Sequence, residues 1–326
     1  MNPTSSLTPR PAHGVLMVLL AALAWGTTGT AQSFAPSTLS PVWLGALRLL
    51  VSAVFFALLL LFTRRFLRWP RLGLPFLALA FVAGLAMAGY NLAFFAGVRA
   101  SGVAVGTAVA LGSGPIWAGL LQALGGHKPS ARWWAGSLLA VAGGALMVGS
   151  GGSQAVPLSA TGLGLCLLAG LSYAVYALVN KRLVAAAAPA LVTFVVFTLA
   201  ALIAVPAAAL LAGPAVLGER DLLIAGYLGV VATGVAYLLF SHALRHISAA
   251  TGVTLALAEP VTAFVLAVLV VGERPGWAAA AGGLLVLAGL VLVVLAELRR
   301  PAATSAAVTS AAGSKRSSRT LPSQNG

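Results

Sequence analysis

The sequence predicts an all-α, polytopic membrane protein: ten transmembrane helices in two inverted five-helix repeats. Three observations carry this. First, the 326 residues are 60% hydrophobic and 7% charged, with a mean hydropathy of +1.02, outside the range of soluble domains. Second, apolar stretches of about 18 residues or more recur along almost the whole chain, each long enough to cross a bilayer. Third, the chain repeats itself. A shift of 146 residues superposes Arg99 on Arg245, Gly106 on Gly252, Gly126 on Gly272, Pro129 on Pro275, Gly136 on Gly282 and Gly143 on Gly289. Leucine matches are cheap in so biased a composition, whereas Arg, Pro and Gly matches at one offset are not. Nearer the start of each half the offset becomes 148, placing Trp25 on Tyr173 and Pro41 on Pro189.

Taken in order, residues 1–13 read as a polar, disordered lead. Helices are expected at about 14–33, 41–62, 73–97, 102–123 and 133–150, the first repeat (14–150), and at 160–180, 189–212, 222–243, 249–271 and 277–298, the second (160–298). Residues 301–326, rich in Ala, Ser and Thr, read as a disordered tail. Ala22-Leu23-Ala24 offers a weak signal-peptide cleavage pattern, but the repeat gives the first segment a partner and so a place in the fold. Five is an odd number of crossings, so the second half must enter the membrane upside down relative to the first, an arrangement found where a site sits at the repeat interface near the midplane.

The net charge of +14 does not point to nucleic acid, because the basic residues sit in short clusters between apolar segments. They orient the chain instead. With the N-terminus inside, the outer loops receive only Arg99, Arg220 and Arg274, and nearly every other Lys and Arg falls inside. Both termini are therefore expected in the cytoplasm, in a bacterial inner membrane. The one cysteine, Cys166, allows neither an internal disulfide nor a Cys-based metal site.

The segment 249–271 carries the most information. Glu259 sits about 15 Å from its start, near the middle of a roughly 30 Å hydrocarbon core, where a charge costs about 2–4 kcal/mol. Pro260 removes a backbone donor and frees a carbonyl one turn earlier. Two readings of Glu259 stand: it binds a cationic group or a proton, or it hydrogen-bonds the backbone that Pro260 releases. Pro115, in Gly112-Ser113-Gly114-Pro115, marks the corresponding place in the fourth helix, and a pair of interrupted helices in matching positions is a pointer to a binding site. Arg48 lies some seven residues into the second helix; it attracts a carboxylate or snorkels outward, and the structural role is favoured. Trp25, Tyr90, Asn91, Tyr173, Tyr176 and Tyr237 are expected to line a cavity with Glu259, between helices 1, 3, 4, 6, 8 and 9, presenting flat apolar area with polar handles. Trp43, Trp69, Trp133, Trp134 and Trp277 lie near helix ends and suit an interfacial belt.

Leu257-Ala-Glu259-Pro260-Val261, then Gly272-Glu273, Gly282-Gly283 and Gly289, together with Ala24-Trp25-Gly26 and Arg48, resemble the drug/metabolite transporter superfamily, specifically its ten-helix EamA-type members, over about residues 14–298. The first half departs from the pattern: Ser113-Gly114-Pro115 stands in place of Glu-Pro, and His127 in place of Glu273. The resemblance implies secondary export of small metabolites, amino acids among them, with proton or ion coupling as an adjunct. Drug-like cations, nucleobases or sugars are the alternative cargo. No phosphate-binding loop is present, and neither a cofactor, a metal nor an enzymatic activity is expected. An intramembrane serine protease would need more than Leu111-Gly112-Ser113-Gly114 and a histidine at a helix end. A channel would show rings of like charge; the sequence has none.

Overall fold

The computed structural model describes residues 10–34, 39–63, 73–150, 159–272 and 274–299, with Val103 and Ala104 described by backbone alone. Glu273, Trp69, Arg64, Arg65, Arg68, Arg71, Arg300, the tail 301–326 and most of the N-terminal lead lie outside the described residues.

Ten helices are long and apolar enough to cross a membrane, and no strand occurs among the described residues. They are α1 (Pro11–Phe34), α2 (Pro41–Phe62), α3 (Leu74–Ser101), α4 (Val103–Leu124), α5 (Ala131–Gly149), α6 (Ala160–Ala186), α7 (Pro189–Ala212), α8 (Glu219–Ala243), α9 (Ala249–Val271) and α10 (Trp277–Leu298). Pro11, Pro41 and Pro189 each open a helix, where the missing N–H would lack a partner anyway. The first of these corrects the expected disordered lead, since α1 already contains residues 11–13. Three other boundaries move. α3 runs on to Ser101 and takes Arg99 into its last turn, a favourable place for a cation. α8 begins at Glu219, and Asp221 caps it by accepting from the Gly218 N–H at 2.9 Å. α6 extends to Ala186 and carries Lys181 within it, because the lysine amine finds carbonyl partners across the bundle.

The main helix pairs recur when each helix is exchanged for the one five places on. α3 lies on α6 as α1 lies on α8; α4 lies on α6 as α1 lies on α9; α2 packs on α7, and α5 on α10. The repeat-mates run antiparallel. At the α5–α10 crossing, a Cβ on Gly143 would stand 2.6 Å from the Gly282 carbonyl oxygen, and one on Gly136 would stand 2.7 Å from that of Gly289. These are the glycines that superpose in the sequence repeat, now meeting crosswise. Only glycine permits this approach, the close packing on which helices in lipid rely.

Large apolar side chains point outward, including Leu16, Leu23, Leu202, Leu284 and Val291, all more than half exposed except Leu23 at 50%. The centre holds the aromatic groups. Phe56, Tyr176, Phe197 and Phe240 are fully buried, and Phe197 meets Tyr237 at 4.9 Å between ring centroids. Trp43 and Trp133 lie near helix starts but are buried against protein: Trp43 donates its indole N–H to the Gly213 carbonyl at 2.8 Å, and Trp133 packs edge-on against Trp134 at 5.0 Å. Trp277, 85% exposed, keeps the outward position expected of it.

Candidate functional site

The ninth helix is interrupted. It consists of Ala249–Leu255 and Ala258–Leu266, followed by a wider π-helical stretch, Ala267–Val271. Between the first two pieces, Leu257 N–H donates to the Thr254 carbonyl (3.0 Å) and Glu259 N–H to that of Ala256 (2.9 Å). The Ala256 carbonyl is the one that Pro260 leaves without its ordinary partner. The chain tightens by one residue to satisfy it, and Pro260 then falls in the first turn of the next piece, where it costs nothing. The break therefore sits at Ala256 and Leu257. The fourth helix behaves differently: α4 is one element from Val103 to Leu124, straight through Pro115, so the expected interruption there is corrected. Its small face is pressed on α6, where a Cβ on Gly170 would meet the Ala110 carbonyl oxygen at 2.8 Å.

Beside the break lies a cavity of about 560 Å³. Trp25, Tyr90, Asn91, Tyr173, Tyr237 and Glu259 all line it. Tyr176 does not. It is fully buried one turn beyond Tyr173, and its phenolic oxygen accepts from Asn180 Nδ2 at 3.2 Å. The walls are aromatic: Trp25 and Tyr237 lie 5.1 Å apart between centroids, Tyr90 and Tyr173 5.3 Å. Among the described residues, two buried polar atoms of the lining, Trp25 Nε1 and Tyr173 Oη, have no hydrogen-bond partner, and neither does Arg48 Nε. Such groups are expensive to leave unsatisfied in a dry site.

Arg48 belongs to this cavity, so helix α2 joins the six expected to surround it. Gln32, Thr28, Thr107 and Phe94 also line it; none was singled out by the sequence, and Thr107 and Gln32 carried no signal beyond being polar in an apolar run. The Glu259 carboxylate accepts no hydrogen bond among the described residues, from the freed backbone or from elsewhere; only its backbone N–H is engaged. Arg48 and Glu259 are within electrostatic reach of one another, yet no direct ion pair joins them. The cavity thus presents a cation and an anion separately, between aromatic faces.

Its extent is one-sided. Gln32, Pro41, Arg48, Val98 and Thr107 carry it toward the α1–α2 and α3–α4 connections. The opposite end, around the α8–α9 connection, is tied shut. Lys181 Nζ donates to the carbonyls of Leu244 (2.8 Å) and Ile247 (2.7 Å). Arg245 reaches back, Nε to the Val184 carbonyl and Nη2 to that of Ala187, both at 2.9 Å. Glu297, expected merely at a helix end, is buried and accepts from Ser248 N–H (2.8 Å), Ser248 Oγ (3.2 Å) and Thr251 Oγ1 (2.5 Å), a carboxylate held at the positive end of α9. His242 uses Nδ1 against the Leu238 carbonyl at 2.8 Å.

The EamA-like transporter family matches residues 12–149 and again 160–295. This chain belongs to that family. Within it, the chain is 36% identical over 296 residues to the uncharacterized transporter YwfM of Bacillus subtilis (strain 168), covering 89% of this chain and 97% of that protein. It is 34% identical over 68 residues to the putative permease-like protein YdzE of the same organism, covering 21% of this chain and 87% of that one. A crystal structure with 21% sequence identity superposes with a TM-score of 0.74, over 89% of this chain and 99% of the other; that likeness speaks to the fold. The family and the fold make this a membrane transporter with ten spanning helices.

Proposed function

We propose that this EamA-like transporter is a secondary carrier that exports amino acids across a bacterial inner membrane by alternating access, with two inverted repeats, 14–150 and 160–298, moving about the central cavity and both termini in the cytoplasm. One observation carries the substrate class: Arg48 and Glu259 line the same aromatic-walled cavity and neither is neutralised by the other. A zwitterion supplies what both lack, its carboxylate to the guanidinium and its ammonium to the glutamate, through charge-assisted hydrogen bonds. Trp25, Tyr90, Tyr173 and Tyr237 would hold the side chain, and Asn91 presents an amide oxygen, its Nδ2 being spent on the Met87 carbonyl at 3.0 Å. With the termini inside, the cavity opens outward and the knot of hydrogen bonds at Lys181, Arg245 and Glu297 closes the cytoplasmic side.

Counterflow in proteoliposomes tests the reading. Labelled amino acids should accumulate against unlabelled ones trapped inside, and accumulation should fall by about 10- to 100-fold in both Arg48→Gln and Glu259→Gln. No counterflow by any amino acid would end the amino-acid reading. The aromatic cage beside a carboxylate also suits an organic cation; transport of a quaternary ammonium that survives Arg48→Gln would select that cargo instead. Proton coupling through Glu259 is a further part of the proposal. An unchanged transport rate and pH dependence in Glu259→Gln would discard it.

A further inference from the structure

A second cavity, of about 480 Å³, lies at the end of the bundle away from the mouth of the first, bounded by the α4–α5 connection and the last turn of α10. Lys128, Arg132 and Arg299 line it, with Ser130, Trp133 and Glu297. We infer that this cavity binds a phosphate-bearing anion.

The charge balance points that way. Three cations line one concavity, and none of their side chains has a hydrogen bond or ion pair among the described residues. The single carboxylate on the wall is Glu297, and both its oxygens are committed to Ser248 and Thr251. Clustered like charges without a counter-ion raise the local concentration of anions.

The donors match phosphate in particular. Ser130 caps α5: its Oγ accepts from Trp133 N–H at 3.2 Å and its carbonyl from Trp134 N–H at 3.1 Å. The amides of Ala131 and Arg132 are left over, at the positive end of a 19-residue helix. Two guanidinium forks, an ammonium and two free amides are more than a single carboxylate needs; they suit the several oxygens of a phosphate group. The surroundings fit a phosphate carried by a lipid. Leu298, next to Arg299, is 47% exposed, and Leu124, at the end of α4, is 85% exposed. Basic pockets between membrane helices at headgroup level are where anionic lipids dock. The inference is independent of what the central cavity carries.

The test uses the purified full-length protein in uncharged detergent, read by thermal unfolding and by native mass spectrometry. Three probes are compared: phosphatidylglycerol, phosphatidylcholine and inorganic phosphate. Phosphatidylglycerol should stabilise the protein and remain bound, while phosphatidylcholine should do neither. The triple variant Lys128→Gln, Arg132→Gln, Arg299→Gln should lose about 100-fold in affinity, roughly fivefold for each cation. Arg99→Gln with Arg220→Gln, exposed cations elsewhere, should bind as the parent does. Arg132→Lys with Arg299→Lys keeps the charges and should retain most of the binding, which separates a lost site from a misfolded protein. Protection by inorganic phosphate alone, lost in the same triple variant, would assign the site to a soluble phosphate rather than a lipid. Equal retention of phosphatidylglycerol by parent and triple variant, equal retention of both lipids, or no protection by any probe would overturn the inference.

Discussion

The two ends of the bundle are built on opposite plans. Toward the α1–α2 and α3–α4 connections, polar groups are left unpaired: among the described residues, Trp25 Nε1, Tyr173 Oη and Arg48 Nε have no hydrogen-bond partners, and the Glu259 carboxylate accepts nothing. At the α8–α9 connection the polar groups seek each other out, with Lys181 and Arg245 clasping carbonyls reciprocally and Glu297 capping α9. Unsatisfied polar groups in low dielectric are costly; a few also occur away from the cavity, as at Asn180 Oδ1, Thr198 Oγ1 and Thr233 Oγ1. Satisfied ones rigidify, so they mark the end that holds. Under the proposed function, the difference is that between a solute site and a closure to be released.

The largest expected effect comes from emptying the open end of charge. Glu259→Gln or Arg48→Gln should each reduce amino-acid counterflow by about 10- to 100-fold, the equivalent of one lost charge-assisted bond of roughly 1.5–3 kcal/mol. Normal counterflow in either variant would mean that the open end is not the solute site. Next comes the closed end. Lys181→Ala with Arg245→Ala removes four hydrogen bonds from the clasp. A cysteine placed at Ser248 should then react with a membrane-impermeant maleimide from the cytoplasmic side about tenfold faster than in the parent background. Unchanged labelling would show that the clasp is not what closes this end. The native Cys166 is fully buried and leaves the background low.

A smaller effect follows from the cap itself. Thr251→Val leaves Glu297 short of one donor and should lower stability by about 1–2 kcal/mol in a detergent melt. Thr107→Val, in the wall of the open cavity, should leave the melt nearly unchanged.

The smallest effect concerns pH. His246, in the α8–α9 connection and outside the spanning helices, has its imidazole pushed below its usual range, first by burial and then by the nearby charges of His13, Arg245, His242 and Arg10. Its Nδ1 accepts from the Arg10 backbone N–H at 3.3 Å, which requires the neutral ring. The unfolded chain therefore holds this proton more tightly than the folded one, so stability is full above the ordinary imidazole range and declines as pH falls through the depressed folded value. His246→Gln should flatten the fall in melting temperature between about pH 7 and pH 5. A slope identical to the parent's would remove His246 from the closure.

Most of the fold was legible in the sequence. Apolar runs of membrane length, with Pro41 and Pro189 opening two of them, led to the same limits for α2, α7, α9 and α10 that the structure has, because in lipid the backbone has little alternative to helix. Six of the seven residues named for the cavity face it, since a polar or aromatic group in the middle of an apolar run must find an interior. What stayed illegible was non-local. Tyr173 and Tyr176 are three residues apart on one helix, and only the neighbours Phe197 and Phe240 decide that the second is sealed off. Pro115 reads like Pro260, but α4, packed closely on α6, continues as one helix through its proline while α9 is interrupted. Glu297 sits where a solvated helix end is the default, and it is buried because α9 begins beside it. Arg48 reads as a snorkelling cation until the cavity appears around it.

Helix α6 has a consequence for timing. Tyr173 stands at the cavity wall; Tyr176, Asn180 and Lys181 follow on the same rod, with Asn180 Nδ2 bridging to Ser241 Oγ at 2.9 Å and Lys181 gripping the far connection. Berth and bolt are thus mounted on one shaft barely two turns long. Under the proposed alternating access, a tilt that seated cargo against the tyrosine would also pull on the lysine, so loading and unlocking would be a single mechanical stroke.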